Sequence, residues 1–356
     1  MRLHEGEESG MTEIFRVEPQ NPDIEIIRRA ARIIRTGGLV AFPTETVYGL
    51  GADAMNATAV RKIFAVKERP PDNPLIVHVA DEDSIKRLAA HIPDEAKILI
   101  EKFFPGPLTI VLEKKPTVPD VTTANLPTVA LRMPNNKVAL SLIEESGTPI
   151  AAPSANKAGR PSPTKAQHVL EDLEGEVDLI LDGGPTTFGL ESTVLDLTVK
   201  PPQLLRPGAV TLEMLNEAIG QVQIHPTVKI RISSEGFEAK SPGMKYRHYA
   251  PRAELIVVTG RDENVAEKIR EMVNMFRSKG LRVGVASTTG MEYSADYVEK
   301  LGRSKLEIAS RLYDGLRRFD EAGVDIIIAE GVDERGLGLA IMNRLRKASN
   351  YRVLRA

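Results

Sequence analysis

The chain has 356 residues, a formal charge of −2, 42% hydrophobic residues and no cysteine. The length suits two domains with ample folded cores, and near-neutrality excludes a globally basic nucleic-acid or membrane-surface binder, so any anion site must be local. Lacking cysteine, the chain has no disulfide framework, thiolate zinc site or cysteine nucleophile and fits a reducing, cytoplasmic setting; residues 1–23 lack the apolar core of a signal peptide, and no apolar run approaches the roughly 18 residues of a membrane span.

From the N-terminus, Ile24, Ile27, Ala30, Ala31 and Ile34 recur at helical spacing, and Gly37-Gly38 ends that helix. Leu39–Phe42 predicts a buried strand stopped by Pro43. A short helix carrying Val60, Ile63 and Phe64 leads to Lys67, and Leu75–Val79 predicts the next strand. Further strands are predicted at Leu108–Leu112, Thr128–Met133, Pro149–Ala152, Val177–Leu181, Ser192–Leu197 and Gln203–Leu205. Helices are predicted at Ser84–Ala90, Asp94–Phe104, Lys137–Glu145, Lys165–Leu173 and Leu212–Ile219. This pattern reads as one α/β domain over residues 1–220 with a mixed, twisted sheet.

Residues 221–252 break the alternation with Pro226, Ser233-Ser234, Gly236, Pro242, Gly243 and Pro251, the composition of a linker. The end of the linker, Ser241–Pro251, crowds two tyrosines, a histidine and two cations into a few residues. It is either an ordered connector or a segment folded over a ligand. Over 253–356 the alternation resumes, with strands predicted at Leu255–Val258, Arg282–Ala286 and Asp325–Ala329 and helices at Asn264–Lys279, Leu306–Ala322 and Leu339–Ala348. That is a smaller three-layer α/β domain with a mainly parallel sheet.

Cations and small polar residues gather where these strands meet loops. Lys67 and Arg69 end a helix just before Pro70-Pro71-Asp72-Asn73-Pro74. They are either a solvated helix end favoured by the macrodipole or a phosphate clamp stiffened by three prolines. Ser154-Ala155-Asn156 follows a strand, and Arg160-Pro161-Ser162-Pro163-Thr164 leads into a helix that Thr164 suits as N-cap. Ser and Asn side chains there could orient a nucleotide whose phosphates the cations hold. The segment Phe42–Gly51 offers the hydroxyls of Thr44, Thr46 and Tyr48 either to a small polar ligand or to a plain turn. His78 within its strand is either a satisfied core residue or a pocket residue. Arg132 and Arg206 at strand ends pose a choice between a surface ion pair and a bidentate grip on a carboxylate. Ser192 is a further candidate. No Walker, dinucleotide-binding, H-E-x-x-H or G-x-S-x-G signature is present, so positioning and charge stabilisation are indicated rather than a covalent nucleophile.

On these residues the chain resembles a known family. Pro43–Gly51, Lys67–Val79 with its K-x-R and P-L-I-V-H-V, Pro105–Leu112, Ala130–Pro134, Pro153–Asn156, Glu191–Val194 and Leu205–Gly208 match YrdC-type catalytic domains. Ser241–Pro251 and Ala340–Ser349 (A-I-M-N-R-L-R-K-A-S) match the two-domain threonylcarbamoyl-AMP synthases. The resemblance implies a YrdC-type twisted mixed open sheet over 1–220, a linker and active-site lid over 221–252, and a Rossmann-like domain over 253–356. It implies a nucleotidyltransferase that converts L-threonine, bicarbonate and ATP, with Mg²⁺, to threonylcarbamoyl-AMP and pyrophosphate. The product feeds modification of adenosine 37 in tRNAs reading codons that start with A, through a separate transferase complex, with at most weak direct contact to tRNA.

By the same resemblance Lys67 and Arg69 are catalytic. Together with Asn73, Thr128, Ser154, Asn156, Ser162, Arg206, Tyr246 and His248 they bind ATP. Thr44, Thr46, Tyr48, His78, Arg132, Ala152 and Ser192 bind threonine, Arg132 through its carboxylate. No resident metal site is implied. Lys245–Tyr249 suits a lid that shields a labile mixed anhydride from water. The rival readings are a non-catalytic double-stranded RNA or tRNA-binding module, which the net charge disfavours, a carbamoyl-adenylate enzyme of hydrogenase maturation, whose zinc-finger region a cysteine-free chain lacks, and a small-molecule sensor whose C-terminal domain binds a separate ligand.

Overall fold

The structure is a computed structural model that describes residues 11–231, 238–244 and 248–356. The apolar stripe at Ile27, Ala30, Ala31 and Ile34 forms helix α1 (Ile24–Arg35), started by Asp23, whose carboxylate accepts the Glu25 N–H. The first domain continues with β1 (Glu13–Arg16), β2 (Val40–Phe42), β3 (Gly49–Asp53), α2 (Ala57–Lys67), β4 (Ile76–His78), α3 (Glu82–Leu88), α4 (Asp94–Phe103), β5 (Leu108–Glu113) and β6 (Thr128–Arg132). It is completed by α5 (Lys137–Ser146), β7 (Ile150–Ala151), α6 (Ala166–Leu173), β8 (Leu179–Asp182), β9 (Thr193–Asp196), β10 (Gln203–Arg206), α7 (Leu212–Ile219) and β11 (Gln223–Ile224). The strands form one mixed sheet in the order β1-β8-β2-β3-β7-β4-β6-β5-β9-β10-β11.

Alternation along each strand divides this sheet into two unlike faces. Val77, Leu131, Ala151 and Leu195 point into the large core under α2, α3, α4 and α6. On the opposite face α1 and α5 cover only one side, over Val40, Phe42, Leu179 and Ile150. Over β4, β6, β5, β9 and β10 that face carries a small cluster of Ile76, Val111, Ala130, Val194 and Leu205, against which the linker residue Met244 packs. Among the described residues no helix of the first domain seals this stretch, and the register β4∥β6 aligns His78 with Arg132 there.

The second domain is wholly parallel: β12 (Glu254–Thr259), β13 (Val283–Ser287), β14 (Tyr297–Lys300), β15 (Ile326–Glu330) and β16 (Val353–Arg355), in the order β14-β13-β15-β12-β16. Helix α8 (Asp262–Ser278) covers one face. Helices α9 (Lys305–Ala322) and α10 (Gly338–Ala348) cover the other, in a core that also takes in Val47, Leu190 and Tyr249. The two domains therefore share apolar packing. Charged contacts run alongside it: Arg317 to Asp172 at 2.9 Å, Lys165 to Asp314 at 2.8 Å and Arg344 to Glu191 at 3.0 Å.

Several elements differ from the sequence expectation. Gly49–Asp53 is a strand, antiparallel to β2, where the sequence suggests a loop. Its glycines are poor strand formers, but a Cβ on Gly51 would lie 2.8 Å from both Ile150 Cγ2 and Phe42 Cε1, so close packing selects them. Strands β1, β11, β14 and β16 were likewise not predicted. The segment expected to begin the linker starts as β11, parallel to β10 on the sheet edge. Thr164 is not the N-cap of α6; that position falls on Lys165, which makes no side-chain cap, and the Thr164 N–H donates to His168 Nδ1 at 3.2 Å. Among the described residues no helix is long and apolar enough to cross a membrane.

Candidate active site

The unsealed face of the first sheet is the floor of a cleft with about 550 Å³ of open space, mouth included. Ile76 and His78 from β4, Arg132 from β6 and Ala152 line its floor. Thr44 and Thr46 from the β2–β3 loop, Gly49 at the start of β3, Arg69, Ser154, Glu191, Ser192 and Arg206 form its walls, and Pro242, Gly243, His248 and Tyr249 of the linker lie over it. The cleft thus gathers Thr44, Thr46, Arg69, His78, Arg132, Ala152, Ser154, Ser192, Arg206 and His248 from positions scattered over two hundred residues. Lys245–Arg247, and with them Tyr246, lie outside the described residues.

The remaining described candidates, Tyr48, Lys67, Asn73, Thr128, Asn156 and Ser162, do not line the cleft themselves. Lys67 is 2% exposed, and its ammonium donates to the carbonyls of Ser154 and, at 2.5 Å, Asn156. Burial, reinforced by Arg69, drives its pKa well below the usual lysine value. It ties α2 to the Ser154–Asn156 loop rather than pointing into open space. Asn156 Nδ2 donates to the carbonyls of Lys157 and Arg160 at 2.8 and 3.1 Å. Ser162 donates to the Glu191 carboxylate. Tyr48 does not line the cleft: its hydroxyl donates to the Gly184 carbonyl at 2.7 Å and accepts the Gly183 N–H at 3.2 Å, bracing the turn after β8. Thr128 stands at the far end of β6, two positions before the Ala130–Ile76 pair, paired with Glu113 of β5, and does not line the cleft.

The electrostatics are uneven. Arg69 donates to the carbonyls of Asn73 and Pro74 at 3.2 and 3.1 Å, so the proline-rich loop presets its guanidinium. Arg206 Nε donates to the Ser192 carbonyl at 2.9 Å and Nη2 to the Ser192 hydroxyl at 3.1 Å, while Thr109 shares that hydroxyl at 2.7 Å. Arg132 is paired at 2.7 Å with Glu45, both side chains nearly buried. Burial, then the neighbouring Arg132, pushes His78 down to about 3, so its imidazole is neutral near neutral pH. His248 is likewise pushed down to about 3 by burial, Lys347 and Arg69. Among the described residues the Asn73 amide, His78 Nδ1, Asn156 Oδ1 and His248 Nε2 are buried with no hydrogen-bond partner. Such leftover groups are uncommon in a finished interior and mark surfaces that a polar ligand completes.

Residues not singled out in the sequence build one wall. Glu191 accepts from Ser162, from the Tyr313 hydroxyl at 2.8 Å and from Arg344 Nε at 3.0 Å. Burial opposes its ionisation, but Arg344, Arg206 and the Ser162 hydroxyl together hold its carboxyl below the usual range. Lys347 donates to the Gly243 carbonyl, and burial, Arg344 and Arg206 pull its pKa down to about 7. The run Asn343, Arg344, Lys347 lies inside the A-I-M-N-R-L-R-K-A-S segment. Three cationic or amide side chains on one helix face, at positions that bury, were the available signal.

Comparison with known proteins matches both parts of the chain. Residues 32–208 match the family model described as "Telomere recombination" (Sua5_yciO_yrdC), and residues 210–350 match "Threonylcarbamoyl-AMP synthase, C-terminal domain". The chain is 55% identical to the threonylcarbamoyl-AMP synthase of Pyrococcus abyssi over 92% of this chain and 95% of that protein. It is 50% identical to that of Bacillus subtilis, over 92% of this chain and 94% of that one. A crystal structure of P. abyssi Sua5 complexed with L-threonine superposes with a TM-score of 0.94 at 53% identity, covering 97% of this chain and all (100%) of that one. Escherichia coli YciO matches 56% of this chain and 96% of its own with a TM-score of 0.52 at 27% identity. The chain belongs to the threonylcarbamoyl-AMP synthase family.

Proposed function

We propose that the chain condenses ATP, L-threonine and bicarbonate to threonylcarbamoyl-AMP and pyrophosphate. The observation that carries this reading is the polarity of the cleft: cations Arg69 and Arg206 sit at its walls, and Arg132 with neutral His78 on its floor. A triphosphate fits the first pair and an amino-acid carboxylate fits Arg132. The nucleotide enters as its Mg²⁺ complex. Among the described residues no three His, Asp or Glu groups converge into a cage, and phosphate oxygens suit Mg²⁺ as ligands.

The neutral threonine amine forms an N–C bond to the bicarbonate carbon, and water carries away the hydroxyl and an amine proton, leaving a carbamate. A carbamate oxygen attacks the α-phosphate in line, the bond to the β-phosphate oxygen breaks, and pyrophosphate leaves. Arg69 and Arg206 stabilise the growing charge on the phosphate oxygens, which is where fixed cations lower the barrier most. Arg132 exchanges Glu45 for the threonine carboxylate, and Ser192, Thr44 and Thr46 orient the rest. Lys67 acts from behind by holding the Ser154–Asn156 loop. The linker shields the mixed anhydride. Its described parts are braced for this: Tyr249 stacks on Tyr313 at 5.4 Å and the Ala250 N–H donates to the Gly159 carbonyl at 2.9 Å. The product then passes to a transferase complex for adenosine 37 of tRNA.

The test is pyrophosphate release from ATP without tRNA. Release that requires both threonine and bicarbonate, with threonylcarbamoyl-AMP detected by mass spectrometry, is the expected result. Release that ignores both would make the chain a plain nucleotidase.

A further inference from the structure

Arg344 reaches the cleft wall from the second domain. It is fully buried on α10 (0% exposed). Its Nε donates to the Glu191 carboxylate at 3.0 Å and Nη2 to the Glu191 carbonyl at 3.2 Å, while Nη1 donates to the Pro207 carbonyl at 2.7 Å and to Asn343 Oδ1 at 3.1 Å. One guanidinium therefore grips the residue before Ser192 and the residue after Arg206. Those two side chains line the cleft and bond each other. The remaining Glu191 contacts are Ser162 and, from α9, Tyr313. Burying such an ion pair costs several kcal/mol in desolvation, and an apolar contact of the same shape commonly serves stability as well. The domains already share an apolar core at Val47, Leu190, Tyr249, Tyr313 and Ile341, so docking alone does not call for this charge.

We propose that Arg344 is a positioning residue of the adenylate-forming site: through Glu191 and Pro207 it sets Ser162, Ser192 and Arg206, and it keeps Glu191 an acceptor. This rests on the function proposed above. The groups that face Glu191 are Arg344 and Lys347 on α10, Tyr313 on α9, Arg206 on β10, Lys67 on α2, and His248 and Tyr249 on the linker. Losing Arg344 removes the largest of the groups that oppose burial and leaves Arg206 and Ser162, so Glu191 takes up a proton at higher pH and turns from acceptor to donor toward Ser162.

The experiment measures kcat, KM for ATP and the pH–rate profile for wild type, Arg344→Met, Arg344→Lys and the double variant Arg344→Met/Glu191→Gln. Arg344→Met is expected to raise KM for ATP about tenfold, with a smaller change in kcat, and to move the acid limb of the profile up by about one pH unit. Arg344→Lys keeps the charge but not the fork; it raises KM several-fold and leaves the limb in place. In the double variant the moved limb disappears. A wild-type KM and profile in both single variants, with only melting temperature lowered, overturns the proposal, as does a moved limb that survives in the double variant. Should Arg344→Met fail to fold, Arg344→Lys decides alone, and an unchanged KM for ATP overturns it. Wild type assayed alongside separates the two readings. If it makes no threonylcarbamoyl-AMP the function fails, and calorimetric binding of ATP to the same variants still judges Arg344.

Discussion

The cleft and the crest of the second sheet handle buried polar groups in opposite ways. At the end of β15 the Glu330 carboxylate accepts the N–H groups of Thr288 and Thr289 at 2.5 and 2.8 Å, the hydroxyls of Ser287 and Thr289 at 3.2 and 3.0 Å, and the Tyr293 phenol. A loop of N–H groups after a parallel strand is a natural anion nest, and here the chain fills it with its own carboxylate. In the first domain the Asn73 amide, His78 Nδ1 and Asn156 Oδ1 are equally buried but unbonded among the described residues. The two sheet edges teach that a polar cluster signals a ligand through what it leaves unsatisfied. Polar density alone would have favoured the Glu330 loop.

The comparison is sharpest at its charged extremes. Arg132→Ala removes the guanidinium assigned to the threonine carboxylate and strands Glu45; kcat/KM for threonine is expected to fall by a factor on the order of 10³ in a pyrophosphate-release assay. A loss under tenfold would move the carboxylate site elsewhere. Glu330→Ala leaves several buried donors without an acceptor and is expected to cost about 2–4 kcal/mol of stability in urea titration, with kcat and KM unchanged. A change in KM for any substrate would show that the second sheet edge is a working site after all.

The histidines give a pH test. His78 and His248 both fall to about 3 in the folded chain, below the ordinary unfolded value of about 6.5. Between those values the unfolded chain binds more protons, so their contribution is intact above about pH 6.5 and is lost as pH falls toward 3, at roughly 2 kcal/mol per histidine by ~pH 5. His78→Gln should flatten that part of the melting-temperature profile; an unaltered slope would mean that His78 is not held neutral. Smallest in energy is Asn73→Ala. It deletes a buried amide with no partner, so melting temperature should hold within a degree or two, while KM for ATP rises about tenfold. Destabilisation with unchanged KM would place Asn73 among the structural residues, with Glu330.

Much of this protein was legible along the chain, for a physical reason. Local periodicity records which face of each element is buried, so α1, α2, β4–β6, α8, α9 and three strands of the second sheet, β12, β13 and β15, lie close to their predicted spans. Cations and hydroxyls at strand ends advertise polar chemistry, and ordered motifs carried the family. What only the tertiary structure decided depends on contacts between residues far apart. Gly49 and Gly51 form a strand because Phe42, Ile150 and Ala152 press against them. Tyr48 and Lys67 sit in motifs as conspicuous as that of Arg69, yet their polar atoms are taken up by Gly184 and by Ser154 and Asn156. Glu191 meets Arg344 across 153 positions of sequence. Sequence spacing conveys secondary structure and residue chemistry; which polar atoms end up satisfied, and which stay open to a ligand, is settled only when distant segments pack together, within the first domain and between the two domains.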